Sequence, residues 1–242
     1  MIPLSSETII NLYGFKITNT FIVTFIVDAI LVWIIFKINR NISIYPAKFQ
    51  NIVETVIEYF YNLTEQIADK RAKSIFPWFA SFFIFIFCSN ILGIFPGFGT
   101  IGIFELEGTE KKLIPLFRAV TNDFNTTFAL AVVSLVATHV LSIKYNGLIE
   151  YLKRFFSLNP IFLFVGLLEI ISELTKLISL SFRLFGNIFA GEVVLTTISS
   201  LFAYLAPVPF LMLESIVALV QALVFSMLTM VFMSILTTPH TE

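Results

Sequence analysis

Apolar residues in this chain fall into long, nearly uninterrupted runs, unlike the short alternating pattern of a soluble sheet protein. A helix needs about 20 apolar residues to cross a membrane. Runs of that length occupy residues 17–36, 76–95 and 123–143. They predict three membrane-spanning helices, the first of which carries Asp28 within it.

A longer apolar segment, residues 161–205, contains no proline and no cluster of turn residues. As one helix it would be about 67 Å long at about 1.5 Å per residue, about twice the thickness of a hydrocarbon core. The segment therefore tilts strongly or breaks into two spans. Nothing near Arg183 breaks a helix, which favours one long tilted helix. The A-P-V-P turn at 206–209 then leads into a last helix, residues 208–238.

Residues 46–70 have apolar residues at helical spacing and charged residues on the opposite face. This pattern is typical of a helix lying on a membrane surface. Together the segments predict an all-α membrane protein, a single polytopic domain over residues 1–242. It has about five membrane-embedded helices, including a long tilted helix hairpin, and one amphipathic surface helix.

Composition narrows the class of protein. Hydrophobic residues make up 57% and charged residues 13% of the 242 positions, whereas soluble domains carry about 25% charged residues. The mean hydropathy of +0.93 excludes a soluble fold, and the dispersed basic residues at a net charge of −1 give no nucleic-acid-binding footprint. One cysteine, Cys88, and two histidines provide no cysteine cage and disfavour a bis-histidine haem. Neither a metal nor a cofactor is expected.

Basic residues set the predicted orientation. They concentrate after the first and third spans, at Lys37, Arg40, Lys48, Lys70, Arg71, Lys73, Lys144, Lys153 and Arg154. Loops rich in lysine and arginine stay on the cytoplasmic side. The N-terminus is therefore predicted outside and the C-terminus inside.

Arg183 is the most costly residue in this environment. An arginine at the bilayer centre costs about 2.5–3.5 kcal/mol on insertion scales and about 10–17 kcal/mol in simulations of an isolated helix, so its side chain has to face protein or water. At about 100° per residue, the side of the helix around Arg183 is polar or small along its length, carrying Glu169, Ser172, Lys176, Ser179, Gly186, Asn187 and Ala190. This polar stripe indicates contact with another membrane protein that also presents charge.

Carboxylates lie on other faces of the two last helices. Glu192 is about 180° around the helix from Arg183, so it faces its own subunit. Glu214 and Gln221 share one face of the last helix. A hairpin of the two helices can bring Asn187, Glu192, Glu214 and Gln221 around one cavity. Carboxylates in such a site can bind and release protons.

The stretches F-R-L-F-G-N-I-F-A-G-E (182–192) and Q-A-L-V-F-S-M-L-T-M-V-F-M-S (221–234) resemble subunit a of F-type ATP synthases. The resemblance extends to E-I-I-S-E-L-T-K-L-I-S-L-S upstream of Arg183, to T-N-D-F-N-T-T-F-A-L-A at 121–131 and to P-A-K-F-Q at 46–50. It implies a proton-translocating stator subunit of the Fo sector, without a catalytic site of its own. The implied partners are a c-subunit ring, b-type peripheral stalk subunits and, indirectly, the F1 sector. The implied location is a bacterial plasma membrane or, alternatively, an organelle membrane.

The same resemblance implies roles for individual residues. Arg183 is the arginine gate opposite the ring carboxylates. The outer half-channel is lined by Asn187, Glu192, Glu214 and Gln221. The inner half-channel is lined by Glu169, Ser172, Ser179 and, nearby, Lys176. Glu214 departs from the family pattern, in which many members pair a histidine with a glutamate at the positions of Glu192 and Glu214, so this chain has no histidine relay in the outer channel.

Simpler interpretations stand beside these roles. Glu192 and Glu214 also fit structural, hydrogen-bonded carboxyls, and Glu173 with Lys176 fits a local ion pair. Asp28 fits either the outer half-channel or a local cap or pair. Four polar residues at the start of the third span fit helix caps: Thr121, Asn122, Asp123 and Asn125. His139 fits a helix residue with a hydrogen-bond partner.

Two other classes of function use the same buried charges: a self-contained channel or secondary transporter, and a quinone-linked respiratory subunit. The chain has no internal repeat to support an inverted-repeat transporter. The polar stripe favours the rotary stator, because an exposed row of small and polar residues is useful only against a partner outside the chain.

Overall fold

The computed structural model describes residues 8–12, 15–40, 48–95, 102–107, 110–115, 118–155, 160–201 and 207–238. Its helices, in chain order, are α1 (Asn19–Arg40), α2 (Lys48–Ala68), α3 (Ala72–Ile94), α4 (Phe124–Asn146), α5 (Leu148–Phe155), α6 (Pro160–Leu201) and α7 (Pro207–Thr237). Short 3₁₀ turns, Asp69–Arg71 and Val120–Asn122, precede α3 and α4. The predicted all-α membrane fold is confirmed.

Two short antiparallel hairpins accompany the helices. Strands β1 (Thr8–Leu12) and β2 (Phe15–Thr18) pair before α1. Strands β3 (Gly102–Glu107) and β4 (Glu110–Pro115) pair between α3 and α4, with Ile103 opposite Ile114. The hydrophobic pattern predicts neither hairpin, because strands of four to six residues give too short an alternation to stand out beside long apolar runs.

The long helix α6 is continuous over 42 residues. At about 1.5 Å per residue its length is about 63 Å, so it has to tilt to fit a hydrocarbon core about 30 Å thick. Its one proline, Pro160, stands at the first position, where the missing N–H removes no intrahelical bond. The prediction of a single long helix is confirmed, and residues 202–206 lie outside the described residues.

Four stretches of the described residues are long and apolar enough to cross a membrane: Asn19–Arg40, Gln50–Ile94, Phe124–Asn146 and Pro207–Thr237. The second covers α2 from Gln50 onward and all of α3. Helix α6 is not among the four, and its sequence carries five charged side chains. The predicted total of about five membrane-embedded helices is therefore approximate.

Hydrogen bonds between helix ends show that neighbouring long helices run antiparallel. At one end of the bundle, the Tyr145 hydroxyl of α4 donates to Ser74 Oγ of α3 over 2.6 Å. At the other end, the Asn90 amide of α3 donates to the Ala218 carbonyl of α7 over 3.4 Å. The first end also holds Lys70, Arg71, Lys73 and Lys144. It corresponds to the side predicted to be cytoplasmic.

The core is formed where α3, α4, α6 and α7 meet. The buried residues there are Phe82, Ile86, Ala131, Leu180, Leu184, Ala222 and Phe225. Hydroxyl pairs cross the same interfaces: Ser134 and Thr229 are 2.8 Å apart, and Thr127 and Ser181 are 3.4 Å apart. Each such bond between membrane helices contributes about 0.6 kcal/mol, so the pairs mainly fix the register of helices that apolar packing holds together.

Helix α2 folds back onto α3 at Asp69, whose φ is 46°. The Phe60 ring then lies 5.3 Å from the Phe79 ring and 5.0 Å from the Phe83 ring, measured between centroids. The second half of α2 thereby packs on α3, whereas Ile52, Val56 and Ile57 in its first half are exposed together with most of its charged residues. This is the predicted amphipathic helix of residues 46–70, of which residues 46 and 47 lie outside the described residues.

Candidate functional site

Arg183 lies near the middle of α6, between two residues that belong to the core. Leu180 and Leu184 are buried against α3, α4 and α7, whereas Arg183 itself is exposed. No ion pair among the described residues includes Arg183. The helix therefore places its central cation on the open surface, where no carboxylate of the described residues pairs with the guanidinium.

The polar stripe predicted from helical spacing is also on the outer surface of α6. Ser172, Ser179, Asn187 and Ala190 are exposed in this single chain, and Lys176, Gly186 and Glu169 are partly exposed. On the opposite side of the helix, Ser181 and Ile188 are buried. The arginine and the stripe therefore share one open surface.

A cleft of about 300 Å³ opens beside Arg183 between α6 and α7. It is lined by Ser172, Thr175, Lys176, Ser179, Leu180, Arg183, Leu228 and Phe232. Three of the four residues predicted for the inner half-channel thus share this cleft with Arg183: Ser172, Lys176 and Ser179. A cleft of this size has room for several water molecules, each of which occupies about 30 Å³.

Lys176 is held in the cleft by two contacts. Its Nζ donates to Glu173 Oε1 over 2.8 Å and lies 4.8 Å from the centre of the Phe232 ring of α7. Glu173 is buried, with 6% of its surface exposed. The pair is the local ion pair that the sequence allows, and it gives the cleft a second cation seven residues from Arg183.

Glu169, the fourth residue predicted for the inner half-channel, is not among the residues that line the cleft. Its carboxylate accepts a hydrogen bond from Arg154 Nε of α5 and forms an ion pair with it. The two helices approach closely at Gly166, where an added Cβ would lie 2.2 Å from the Phe155 carbonyl oxygen. Glu169 therefore fastens α5 to the first half of α6.

His139 has a partner in the same region. Its Nδ1 lies 3.0 Å from the Tyr151 hydroxyl of α5. Burial, followed by the carboxylates of Glu173 and Glu169, raises the pKa of the Tyr151 hydroxyl above its ordinary value. The hydroxyl therefore stays protonated and can donate to the imidazole.

On the other side of Arg183, α6 and α7 are joined by a pair of side-chain amides. Asn187 Nδ2 donates to Gln221 Oε1 over 2.7 Å. Gln221 is buried with 4% of its surface exposed, whereas Asn187 is exposed. This contact connects the open stripe, one turn beyond Arg183, with the interior of the subunit.

The two glutamates predicted for the outer half-channel lie in that interior. Glu214 is buried, at 8% exposure, and packs against Gly191, where an added Cβ would be 2.9 Å from Glu214 Oε1. Glu192 is within electrostatic range of Glu214. Its Oε2 is buried and has no hydrogen-bond partner among the described residues. The helix hairpin thus brings Glu192 near Glu214 and Asn187 onto Gln221, and the single cavity around all four residues stays a prediction.

Arg118 is a residue near this cluster that the sequence does not single out. It is buried, at 6% exposure, and lies within electrostatic range of Glu192. The sequence feature that could have identified Arg118 is its position five residues before Asp123, directly ahead of the capped start of α4.

Asp123 and Asp28 have different surroundings. The Asp123 carboxylate caps α4 by accepting from the Asn125 backbone N–H over 3.0 Å and accepts from the Thr20 hydroxyl over 3.2 Å. Of the three predicted capping candidates, Asp123 is the one that caps the helix. Asp28 is exposed on α1, away from these contacts.

The family model and the similar proteins identify the same family. The family model described as ATP synthase A chain matches residues 19–234. A protein of Moorella thermoacetica named ATP synthase subunit a is 33% identical over 226 residues, covering 93% of this chain and 94% of the relative. A protein of the same name from Trichlorobacter lovleyi is 32% identical, and the match covers 88% of this chain and 85% of the relative. Another from Geotalea daltonii is 31% identical, with 86% of this chain and 83% of the relative covered.

Proposed function

The chain belongs to the ATP synthase A chain family, and on that premise we propose that it is the proton-translocating stator of the Fo sector. In this role it has no catalytic site of its own. It faces a ring of c-subunits, is held by b-type peripheral stalk subunits and acts on the F1 sector indirectly. The proposed location is the bacterial plasma membrane.

The observation that carries the proposal is the placement of Arg183. A cation in the middle of a 42-residue apolar helix is exposed and has no ion-pair partner among the described residues. Facing lipid would cost at least about 2.5 kcal/mol. A carboxylate on a neighbouring protein removes that cost, and the small residues of the polar stripe allow the two helices to approach closely.

The arginine acts as a gate because it keeps its charge. A guanidinium does not release its proton at accessible pH, so Arg183 does not carry protons itself. It favours the ionised form of a carboxylate that passes within a few ångströms. An ionised carboxylate does not cheaply enter lipid, and it therefore has to take up a proton before the ring moves on. The same fixed charge opposes a direct proton leak along α6.

Two separate routes to the gate are supported by the contacts of α6. On the cytoplasmic side, Ser172, Lys176 and Ser179 line a cleft that reaches Arg183. On the outer side, the Asn187–Gln221 bond connects the stripe with the region of Glu192 and Glu214. The routes are offset along the helix. A proton entering by one therefore leaves by the other only after a ring carboxylate has carried it around.

The membrane potential gives this arrangement its direction. Moving one elementary charge across 100 mV changes the free energy by about 2.3 kcal/mol. Because the two routes open on opposite sides of the membrane and are connected only through a ring carboxylate at Arg183, a proton traverses that potential only together with a rotation step. Glu169 contributes in this scheme by fixing α5 at the cytoplasmic end, through Arg154, next to the cleft.

Disulfide crosslinking in the assembled complex tests the stator assignment. In a Cys88→Ser background, a cysteine at Ser179 is expected to crosslink to a cysteine near the ring carboxylate. A cysteine at the neighbouring Ile178, exposed but about 100° away around the helix, is the matched control and is expected to give no ring product. Equal yields at both positions would contradict the assignment.

Transport measurements test the transported ion and the class of protein. The intact complex in vesicles is expected to acidify the lumen when ATP is added, to the same extent with and without sodium. The purified chain alone is expected to conduct no protons, because the gate needs a ring carboxylate. Conduction by the isolated chain would favour a self-contained channel instead.

A further inference from the structure

Helix α1 is the least buried of the four candidate membrane spans, and its two sides differ. Val23 and Val27 are buried against Val120 and the end of α3. The opposite side carries an exposed row of apolar residues, which we call the α1 outer face: Phe21 (52% exposed), Phe25 (62%), Val32 (50%) and Ile35 (63%). Such a face suits lipid or a second helix equally well.

Asp28 lies in the centre of the α1 outer face. It follows Phe25 by three residues and precedes Val32 by four, which puts the three side chains on one side of the helix. Asp28 is exposed. It has no hydrogen bond and no ion pair with any described residue. A carboxyl group thus interrupts an otherwise apolar surface.

The neighbouring residues place Asp28 deep in the membrane. Toward the outside, Thr20 bonds to the capping carboxylate of Asp123 and lies about 12 Å along the helix from Asp28. Toward the cytoplasm, the exposed apolar residues Ile35 and Phe36 continue the span as far as Lys37, whose Nζ lies 4.9 Å from the centre of the Trp33 ring one turn earlier. Lys37 is about 14 Å from Asp28 along the helix, so neither end of the span is within reach of the short aspartate side chain.

An acidic side chain at this depth costs about 2.5–3.5 kcal/mol on insertion scales when it faces lipid. Intramembrane charges of this kind are paired with one another or face protein. A second copy of the chain docked symmetrically would place Asp28 beside Asp28, which adds like-charge repulsion instead of removing the cost. A lipid headgroup lies too far away, since Asp28 is more than 10 Å from either end of the span by the helical rise of about 1.5 Å per residue.

We propose that the α1 outer face docks a membrane-spanning helix of another subunit, which presents a lysine or arginine side chain to Asp28 at mid-membrane. The apolar residues on both sides of Asp28 pack against that helix and exclude lipid from the ion pair. Asp28 fixes the depth and rotation of the partner helix, as single polar residues do at other apolar helix interfaces. This assignment concerns assembly and does not depend on the role of Arg183.

Photocrosslinking in the intact complex identifies the partner. The crosslinking amino acid p-benzoylphenylalanine is placed at Phe25 or at Val32, one turn on each side of Asp28. The expected product is a single protein whose crosslinked helix has a lysine or arginine in its central turns. Ile30, exposed at a similar depth but about 160° away around the helix, is the matched control and is expected to give a different product or lipid adducts only. Lipid adducts alone at both test positions, or a partner helix without a central basic residue, would overturn the proposal.

The variant Asp28→Leu tests the ion pair itself. Removing one partner of a desolvated pair leaves the other charge unmatched, so Asp28→Leu is expected to reduce the crosslink from Phe25 about tenfold or more. Replacing the partner's basic residue by leucine as well removes the unmatched charge and is expected to restore most of the yield. The crosslink yield of this double variant can be measured even where the chain with Asp28→Leu alone fails to accumulate in the membrane. An unchanged crosslink in Asp28→Leu, or a loss of proton pumping with an unchanged crosslink, would instead place Asp28 outside the interface.

Discussion

Asn187 on the open face of α6 donates a 2.7 Å hydrogen bond to the buried oxygen of Gln221 on α7. Since Arg183 lies one turn before Asn187, this bond fixes the position of a polar side chain next to the proposed gate. It also makes the outer route depend on two helices and not on α6 alone.

We expect Gln221→Leu to lower ATP-driven proton pumping about tenfold, because it removes the acceptor of Asn187 and costs about 1 kcal/mol or more. Chain level in the membrane should not change. Val220→Leu, on the neighbouring exposed position of α7, is the control and should pump normally. If Asn187 and Gln221 act through this one bond, the double variant Asn187→Leu with Gln221→Leu should reduce proton pumping by less than the product of the two single reductions.

Arg183→Lys should abolish coupled transport and ATP synthesis while the complex still assembles. Lysine keeps a positive charge, but it lacks the planar fork of arginine and can lose its proton when buried. The matched control is Lys176→Arg, a change between the same two residue types on the same stripe, which should keep at least about half of the activity because the charge is preserved. Pumping near the original level in Arg183→Lys would rule out the gate assignment.

Glu192→Gln together with Glu214→Gln should slow proton translocation severely, since neither amide can take up a proton. Each single change should have a smaller effect, because the second carboxylate remains within electrostatic range. Glu65→Gln, on the exposed face of α2, serves as the control. Proton uptake by vesicles containing the complex measures the effect, and an unaltered rate in the double variant removes both residues from the path.

Gly191→Ala and Gly166→Ala should have opposite outcomes. At Gly191 the new methyl group meets the flexible end of Glu214, so the carboxyl group moves, pumping falls several-fold and the assembled level is maintained. At Gly166 the methyl group meets the backbone of Phe155, so α5 is displaced at a cost of about 1–3 kcal/mol. Chain level and thermal stability in detergent should fall for Gly166→Ala only, and equal losses in both variants would contradict this distinction.

Asp69 offers a separate test of the fold. Its φ of 46° is a left-handed conformation that aspartate and asparagine adopt more readily than β-branched residues. Asp69→Asn should be tolerated, whereas Asp69→Val should destabilise the turn between α2 and α3 by about 1–3 kcal/mol. The temperature at which the detergent-solubilised complex dissociates is the measurement, and it should fall only for the valine variant.

Much of the architecture around Arg183 could be predicted because it is local. Helical periodicity alone places Ser172, Ser179 and Asn187 on one side with Arg183, and the absence of helix breakers predicts a continuous α6. The predicted hairpin of the last two helices allows Asn187 to approach Gln221, and the two side chains are 2.7 Å apart in the structure.

Other features depend on contacts that are distant in sequence. Glu169 has the periodicity of the stripe, yet it pairs with Arg154 because Gly166 lets α5 approach the backbone of α6. The burial of Arg118 next to Glu192 follows from how the 3₁₀ turn before α4 packs between α3 and α6. The β3–β4 hairpin depends on pairing across a loop. None of these contacts leaves a periodic signal in the sequence.

The hydroxyl pairs Thr127–Ser181 and Ser134–Thr229 fasten α4 to α6 and α7 on the side opposite the polar stripe. In the proposed stator role, a rotor moving past the stripe would exert a tangential load on α6, and an unsupported helix about 63 Å long would bend under it. The bonded interfaces pass that load into the rest of the bundle. In that role, the open surface of the subunit would serve as a stiff bearing for the rotor.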